Sequence, residues 1–176
     1  MKKVLTALAA LVLAAAGVLT GTTAANAAGT ALFCSGQEIL TYTPAPAMAF
    51  TDTLTVHEES YNCQNNAYGI TGTLLPSATV ETLSSSCTTG IRPNEQETVT
   101  YGWNDLESST VTYTRFSTTV NNNRFNVTAR GTITNGLLEG ATVIRTSSLT
   151  SLRNLCGALT AVQTSASNTT IQVLAP

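Results

Sequence analysis

Hydrophobic and polar residues alternate along most of the chain with the two-residue period of a β-strand. The segments 51–56 and 110–114 show this most clearly, because threonine occupies every second position in each. A strand with one face in the core and one in solvent produces this pattern, and threonine, valine and tyrosine suit it. The sequence therefore predicts an all-β protein whose threonines occupy solvent-facing strand positions.

The alternating segments are separated by clusters of glycine, proline and asparagine, which favour turns. Regularly spaced short strands are typical of an antiparallel β-sandwich, with a barrel-like arrangement as the alternative. A helical turn is expected only at 149–155. We expect strands near residues 37–43, 51–58, 70–74, 78–83, 97–103, 109–119, 124–134, 140–146, 159–164 and 169–174.

Two hairpins are predicted residue by residue. Asn135-Gly136 is typical of a tight type I′ turn, which would pair Ile133 with Leu138. A connection at 104–108 would form the other hairpin, whose aromatic and β-branched cross-strand pairs would stabilise the sheet. That connection sets Val99, Tyr101 and Trp103 opposite Tyr113, Val111 and Ser109.

The first 27 residues have the composition of a secretory signal peptide. Lys2 and Lys3 precede an apolar run at 4–19, and Ala25 and Ala27 occupy the small positions of a cleavage site. The apolar run is shorter than a membrane-spanning helix requires, and no cysteine follows the cleavage site directly. We therefore predict removal of 1–27 and one secreted, extracellular domain at 28–176, with no membrane anchor.

The charge of the exported part excludes some classes of partner. Loss of Lys2 and Lys3 with the leader leaves six of the eight basic residues, all arginines, against ten acidic residues. The net charge of the mature chain is then about −4 by ordinary ionisation. Nothing in that balance attracts nucleic acid or an anionic membrane surface, so neither is expected as a partner.

All four cysteines lie in the exported part, and an even number in an oxidising compartment predicts two disulfides. A hairpin of the first two strands centred near residue 47 would bring Cys34 close to Cys63. We therefore predict the pairs Cys34–Cys63 and Cys87–Cys156. No C-x-x-C spacing occurs and the chain has one histidine, so no metal site is expected.

The chain carries no recognisable reaction centre, and we expect neither catalytic residues nor a cofactor. The lone histidine, His57, has Glu58 and Glu59 beside it but no serine or cysteine nucleophile tied to it by a motif. We interpret it as a strand-end histidine near surface acids. Glu58 and Glu59 would point to opposite faces of a strand, and the remaining acid pairs are interpreted as solubilising charges. Those pairs are Glu95 with Glu97 and Asp105 with Glu107.

Three residues are candidates for binding. Tyr61 and Tyr68 lie in the polar segment 60–69 beside Cys63, and we expect them to be the most exposed aromatic residues. The remaining aromatics of the hairpin strands are expected in the core. Arg92, in the segment after Cys87, could serve as the basic side chain of a hydrolase inhibitor, and Pro93 would hold it in extended geometry.

Several short motifs resemble those of a group of small, mostly uncharacterised secreted actinobacterial proteins. They are Cys34-Ser35-Gly36, the segments 41–44 and 100–105, and Thr134-Asn135-Gly136 leading into 139–142. The resemblance implies a β-sandwich with two disulfides and no assigned catalytic residues. We expect a secreted, non-enzymatic module that binds an extracellular protein or glycan or belongs to the cell envelope. The alternatives are a hydrolase inhibitor or a hydrolase.

Overall fold

A computed structural model describes residues 29–64, 66–73, 77–104, 107–121, 124–150, 156 and 163–175 of the chain. Within these ranges the regular secondary structure consists entirely of β-strands. A helix that could cross a membrane is not found among these residues. The predicted signal peptide lies outside the described residues. The strands are β1 (Thr30–Thr43), β2 (Thr51–Cys63), β3 (Ser77–Ser86), β4 (Gly90–Ile91), β5 (Glu97–Gly102), β6 (Ser108–Asn121), β7 (Arg124–Gly136), β8 (Thr142–Thr150) and β9 (Gln163–Leu174).

The described strands form one antiparallel sheet in the order β4-β3-β2-β1-β9-β8-β7-β6-β5, and this sheet curls into a half-barrel. Its two edges approach each other, because the backbone N–H of Thr98 in β5 donates to Oε1 of Glu81 in β3 at 2.6 Å. Thr73, which lies beside β2 ahead of β3, forms a β-bridge with Trp103, the residue that follows β5. The predicted all-β antiparallel class is confirmed, and the single curled sheet corresponds to its barrel-like alternative.

Most predicted strands are present, with differences at three places. Segments 159–164 and 169–174 were expected as two strands, but β9 runs without interruption from Gln163 to Leu174, and 159–162 lie outside the described residues. Of the predicted strand 70–74 the structure describes residues 70–73, which form isolated bridges at Gly72 and Thr73, and residue 74 lies outside the described residues. The expected helical turn is wrong at its start, where Leu149 belongs to β8, and 151–155 lie outside the described ranges.

The register predicted for the β5–β6 hairpin is wrong by two residues. Val99 pairs with Val111 and Tyr101 with Ser109. Trp103 leaves this ladder, since its backbone N–H donates to the carbonyl of Glu107 at 2.8 Å. A shift of two residues keeps every side chain on its predicted face, so the aromatic residues still point inward.

The predicted Asn135-Gly136 turn is also wrong. Both residues belong to β7, and the chain reverses at 137–141, where the N–H of Gly140 donates to the carbonyl of Ile133 at 2.9 Å. Gly136 has a φ of 93° and pairs with Ser109 across an irregularity in the β6–β7 ladder. A Cβ at this position would lie 2.0 Å from the carbonyl oxygen of Ser108. The positive φ therefore serves close strand contact instead of a two-residue turn.

Both predicted disulfides are confirmed. Cys34 and Cys63 occupy directly opposing positions of the β1–β2 ladder, with their Cα atoms 3.9 Å apart. Cys87 follows β3 and pairs with Cys156 at a Cα–Cα distance of 5.6 Å. The first disulfide joins the neighbouring strands β1 and β2, and the second fixes the end of β3.

The interior of the half-barrel has an aromatic part and a polar part. Tyr101, Trp103 and Tyr113 are buried in the aromatic part, as predicted. In β2 the usual pattern is inverted, because Thr53 and Thr55 are fully buried while Leu54 is 46% exposed. The interpretation of the threonines in 51–56 as solvent-facing is therefore wrong for these two residues. Their hydroxyls bond to each other at 3.3 Å, and that of Thr53 donates to the Leu83 carbonyl at 3.1 Å.

Candidate functional site

Five ionisable side chains meet in the polar part of the interior, and we call them the charged cluster. They come from four strands, β1, β2, β5 and β8, and none is more than 2% exposed. Burying so many charges is costly unless they neutralise and hydrogen-bond one another. The members are Glu38, His57, Glu59, Glu97 and Arg145.

Strand register explains how the chain brings three of these groups together. His57 and Glu59 are two positions apart on β2 and therefore point to the same face. Glu38 lies directly opposite Glu59 in the β1–β2 ladder, and Leu40, its neighbour on the same face, lies opposite His57. The curl of the sheet then brings β5 and β8 across the interior, which adds Glu97 and Arg145.

Arg145 is the centre of the cluster. Its Nη1 donates to Oε1 of Glu59 at 2.6 Å and to Oε1 of Glu97 at 3.1 Å, and its Nη2 donates to Oε2 of Glu97 at 2.5 Å. The guanidinium also lies over the ring of Tyr113, 4.6 Å from the ring centre. Bidentate hydrogen bonding to a carboxylate and stacking on an aromatic face are both characteristic of arginine.

His57 joins the remaining carboxylate to the cluster. Its Nδ1 lies 3.2 Å from Oε1 of Glu38 and 3.3 Å from Oε1 of Glu97. The other oxygen of Glu38 accepts hydrogen bonds from the hydroxyls of Ser167 at 3.2 Å and Thr169 at 3.3 Å. Two buried atoms of the cluster have no hydrogen-bond partner, namely Nε2 of His57 and Oε2 of Glu59.

Burial and neighbouring charge shift the ionisation of these groups in different directions. Burial by itself would raise the pKa of Glu38, but Arg145 and His57 outweigh it and hold that pKa well below its ordinary value. Burial by itself would lower the pKa of His57, but the carboxylates of Glu97 and Glu38 raise it above its ordinary value.

Glu59 has the opposite shift to Glu38. Burial is the largest cause, the carboxylates of Glu38 and Glu97 add to it, and Arg145 opposes it. Together they raise the pKa of Glu59 to about 7. Near neutral pH a proton on Glu59 reduces the charge that the interior must hold.

The structure corrects the interpretation of His57 as a strand-end surface residue. His57 is 1% exposed and points into the half-barrel. Glu58 is exposed whereas Glu59 is buried, which confirms that this pair points to opposite faces. Glu97, interpreted as a solubilising charge, is fully buried, so that interpretation is wrong. Asp105 lies outside the described residues.

The binding candidates differ in exposure. Tyr61 is only 2% exposed and packs edge-to-face against Tyr101 with ring centres 5.9 Å apart, so its expected exposure is wrong. Residue 61 belongs to β2 and shares the inward face of His57 and Glu59. Tyr68 is 41% exposed, as expected.

Arg92 is exposed, but its side chain packs against the protein surface. Its guanidinium lies 5.2 Å from the centre of the Phe50 ring. Its backbone N–H donates to the Ser84 carbonyl at 3.0 Å, and its carbonyl accepts from Glu95 at 3.2 Å. The chain therefore turns directly after Arg92, over residues 92–95.

The outward side of β1, β2 and β3 carries a group of aliphatic residues, three of them exposed and Val56 half-buried, which we call the outer apolar face. Ile39 is 38%, Leu54 46% and Val80 60% exposed, and Val56 lies directly opposite Val80 in the β2–β3 ladder. Exposed Met48 and Phe50 belong to the loop that leads into β2. This face is defined as Ile39, Leu54, Val56 and Val80.

The cavity beside the charged cluster is small. It is lined mostly by apolar residues, with Glu38, Arg145 and Ser147 at one side, and has a volume of about 10 Å³. A cavity of this size holds about one water molecule, whereas organic ligands occupy several hundred cubic ångströms. Side chains of the chain itself therefore fill this part of the interior.

Sequence reasoning missed Arg145, Glu38 and Glu97 as members of one site. The available signal was the inward face of β2, where His57 and Glu59 follow Thr53 and Thr55 at alternate positions. Four successive polar residues on one face indicate either a solvated face or a polar interior. The apolar residues Leu54 and Val56 at the intervening positions favour a solvated polar face, so this pattern alone does not predict a polar interior.

The chain matches no family model, no curated protein and no solved structure. The resemblance to secreted actinobacterial proteins therefore stays a prediction. The two disulfides are consistent with an extracellular location.

Proposed function

We propose that this protein is a secreted, non-enzymatic module that binds another extracellular protein through its outer apolar face. The observation that carries the proposal is the inversion of β2, which turns Leu54 and Val56 outward and places His57 and Glu59 in the sealed interior. Aliphatic residues grouped on an exposed face commonly mark a protein–protein interaction site.

The burial of the charged cluster supports a role without catalysis. Catalytic acids and bases must come within hydrogen-bond distance of a substrate. None of the five groups of the cluster exposes more than 2% of its surface, and the adjoining cavity has room for about one water molecule. The hydrolase alternative has no accessible acid–base pair in this cluster.

The composition of the outer apolar face supports a protein as the partner. Its centre is aliphatic, and exposed Asp52 and Glu58 lie on the same outward side of β2. An apolar centre with a charged rim is typical of protein–protein interfaces. A glycan would instead require a row of exposed aromatic rings, whereas the four residues of this face are aliphatic and Phe50 is a single ring at its end.

Arg92 and Phe50 lie at one end of this face and indicate which groups of the partner would contact it there. Phe50 precedes β2, and Arg92 is held beside Ser84 near the end of β3, so both lie at the same end of the β2–β3 pair. The guanidinium over the ring is pre-organised, which lowers the entropic cost of binding. The partner we infer presents an apolar patch with an acidic group that pairs with Arg92. The turn at Arg92 favours this mode over insertion as an inhibitor loop.

Site-specific photo-crosslinking tests the proposal with a matched pair of positions. Val80 is 60% exposed on the outer apolar face, and Val120 is 50% exposed on β6. A photoreactive phenylalanine analogue would replace each valine in turn, and the proteins would be irradiated in the culture medium of the source cells. The proposal expects a partner crosslinked at position 80 and not at 120.

The captured protein is then purified and its binding measured directly. Val80→Glu should weaken binding at least about tenfold, because a charge would be buried in the interface, whereas Val120→Glu should leave it unchanged. Equal crosslinking at both positions, no crosslinking, or crosslinking only to a second copy of this chain would each contradict the proposal.

Export is tested separately by sequencing the protein from the medium. The proposed signal peptide predicts an N-terminus at Ala28. An intact leader on protein that stays inside the cell would contradict secretion while leaving the crosslinking result to stand.

A further inference from the structure

We propose that Glu38, His57 and Glu59 form a binding site for one first-row divalent cation, of which Zn²⁺ is the best fit. This site lies within the charged cluster but serves neither the outer apolar face nor catalysis. One ligand atom from each of these three residues lies within 4.8 Å of the other two. Binding would require these side chains to close around the ion to metal-ligand distances of about 2.0–2.2 Å.

The strand pairing makes the arrangement of ligands a property of the fold. Glu38 and Glu59 are direct partners in the β1–β2 ladder, and His57 is the next inward residue on β2. The disulfide between Cys34 and Cys63 ties the same two strands together. Ligands on paired, crosslinked strands are held more precisely than ligands on loops.

Unpartnered atoms in the cluster point independently to a ligand. Nε2 of His57 and Oε2 of Glu59 are buried and have no hydrogen-bond partner. Native proteins satisfy nearly all such buried groups, so each exception needs an explanation such as a bound ion. An imidazole nitrogen and a carboxylate oxygen are also ordinary ligands of Zn²⁺.

Charge supports a divalent cation in particular. Metal binding requires Glu38, Glu59 and His57 in their deprotonated forms, so the ion would displace any protons that they hold. In that state the three carboxylates of the charged cluster and the one guanidinium of Arg145 leave two uncompensated negative charges. A cation of charge two cancels them, which removes the cost of an unbalanced buried charge. Imidazole with carboxylates favours zinc or its neighbours over calcium and magnesium, which prefer all-oxygen sites.

Arg145 is compatible with such a site because it uses only one oxygen of Glu59. Its Nη1 donates to Oε1 of Glu59 at 2.6 Å and leaves Oε2 without a partner. Carboxylates that bind metals are commonly oriented by a hydrogen bond to their other oxygen. Arg145 is then a positioning residue for Glu59.

The test must load the ion during folding, since the site is closed to solvent. The mature protein, with both disulfides intact, would be unfolded in denaturant with a chelator, separated from it, and refolded with one equivalent of Zn²⁺. After gel filtration, native mass spectrometry and elemental analysis would measure the retained zinc. The proposal expects one zinc per chain, and a wild-type protein without retained zinc would overturn it.

Matched variants assign the ligands. His57→Gln and Glu59→Gln should each lower zinc affinity at least about tenfold in competition with a chromophoric chelator. Glu58→Gln changes the exposed neighbour of both residues and should bind zinc as the wild type does. Equal affinity in all three variants would place the ion elsewhere and overturn the proposal. Circular dichroism reports whether each variant folds.

A second measurement decides the matter if the buried variants fail to fold. Wild-type protein refolded with Co²⁺ in place of Zn²⁺ should show the intense visible bands of a four- or five-coordinate site. The weak spectrum of hydrated cobalt, or cobalt lost on gel filtration, would overturn the proposal.

Discussion

Glu38 of β1 and Glu59 of β2 are direct cross-strand partners, yet both carboxylates are buried in the interior of the half-barrel. Like charges at opposing positions destabilise a sheet in the absence of a counter-charge. Arg145 of β8 approaches both, with Nη1 at 2.6 Å from Glu59 and Nη2 at 4.0 Å from Glu38. The stability of the β1–β2 pair therefore depends on a strand that does not neighbour β2.

Arg145→Met should destabilise the protein by about 3–5 kcal/mol, because it leaves carboxylates buried without their partner. Chemical unfolding with both disulfides intact measures this change. Arg130→Met removes an exposed arginine on β7 and should alter stability by less than about 0.5 kcal/mol. Equal effects of the two substitutions would show that the cluster does not govern stability.

His57→Ala should cost about 1–3 kcal/mol, because Glu38 and Glu97 lose a buried partner. The matched control is Glu58→Ala at the exposed neighbouring position, which should be nearly neutral. Binding at the outer apolar face should persist in folded His57→Ala protein. Loss of an enzymatic activity in this variant, with the fold retained, would instead support the hydrolase alternative.

Stability of the protein kept free of metal ions by a chelator should be greatest at mildly acidic pH. Glu59 has a pKa of 4.5 when unfolded and about 7 when folded, so the folded state loses stability as the pH rises between these values. The raised pKa of His57 adds stability below its unfolded value of 6.5, which is lost as the pH rises through the folded pKa.

Glu38 sets the acidic limit of the same profile. Its pKa is lowered by folding, so its contribution is present above the unfolded value of 4.5 and is lost on acidification. The maximum is therefore expected near pH 4.5, where the contribution of Glu38 is almost complete and that of Glu59 has only begun to decline. Unfolding measured across pH checks this, and Glu59→Gln should make the decline towards pH 7 shallower. A stability that rises steadily up to pH 8 would contradict the prediction.

Gly36→Ala should cost about 1–3 kcal/mol or more, since the strand cannot accommodate the added atom. A Cβ at Gly36 would lie 1.8 Å from the carbonyl oxygen of Ser60 across the β1–β2 ladder. Gly102→Ala is the control, because a Cβ there would meet nothing within 4 Å. Thermal unfolding distinguishes the two, and equal midpoints would show that the ladder adjusts without strain.

Local patterns predicted the parts of the fold that depend on neighbouring segments. The pair Cys34–Cys63 follows from one hairpin, because the turn centre predicted near residue 47 is close to that of the observed β1–β2 pairing. The prediction of a turn at Asn135-Gly136 was wrong, because close packing of Gly136 against Ser108 on the neighbouring strand outweighs the turn propensity of these two residues. That contact has no local signal in the sequence.

Local sequence patterns could not predict the charged cluster either, because its members are far apart in the sequence. Arg145 is 86 residues from Glu59 and 48 residues from Glu97 in the sequence. Alternation on β2 separates two faces but does not say which one is inside. The usual assignment places Leu54 and Val56 in the core, and the distant arginine reverses it by supplying a counter-charge to the other face.

The pairing of β1 with β9 in the middle of the sheet governs when the protein can fold. Thr30 at the start of β1 pairs with Leu174 at the end of β9, so strands from both ends of the described chain must be present before the sheet is continuous. Contacts between such distant segments form slowly. The continuous sheet can therefore form only after β9 has been synthesised, so the half-barrel is completed after translation of all nine described strands.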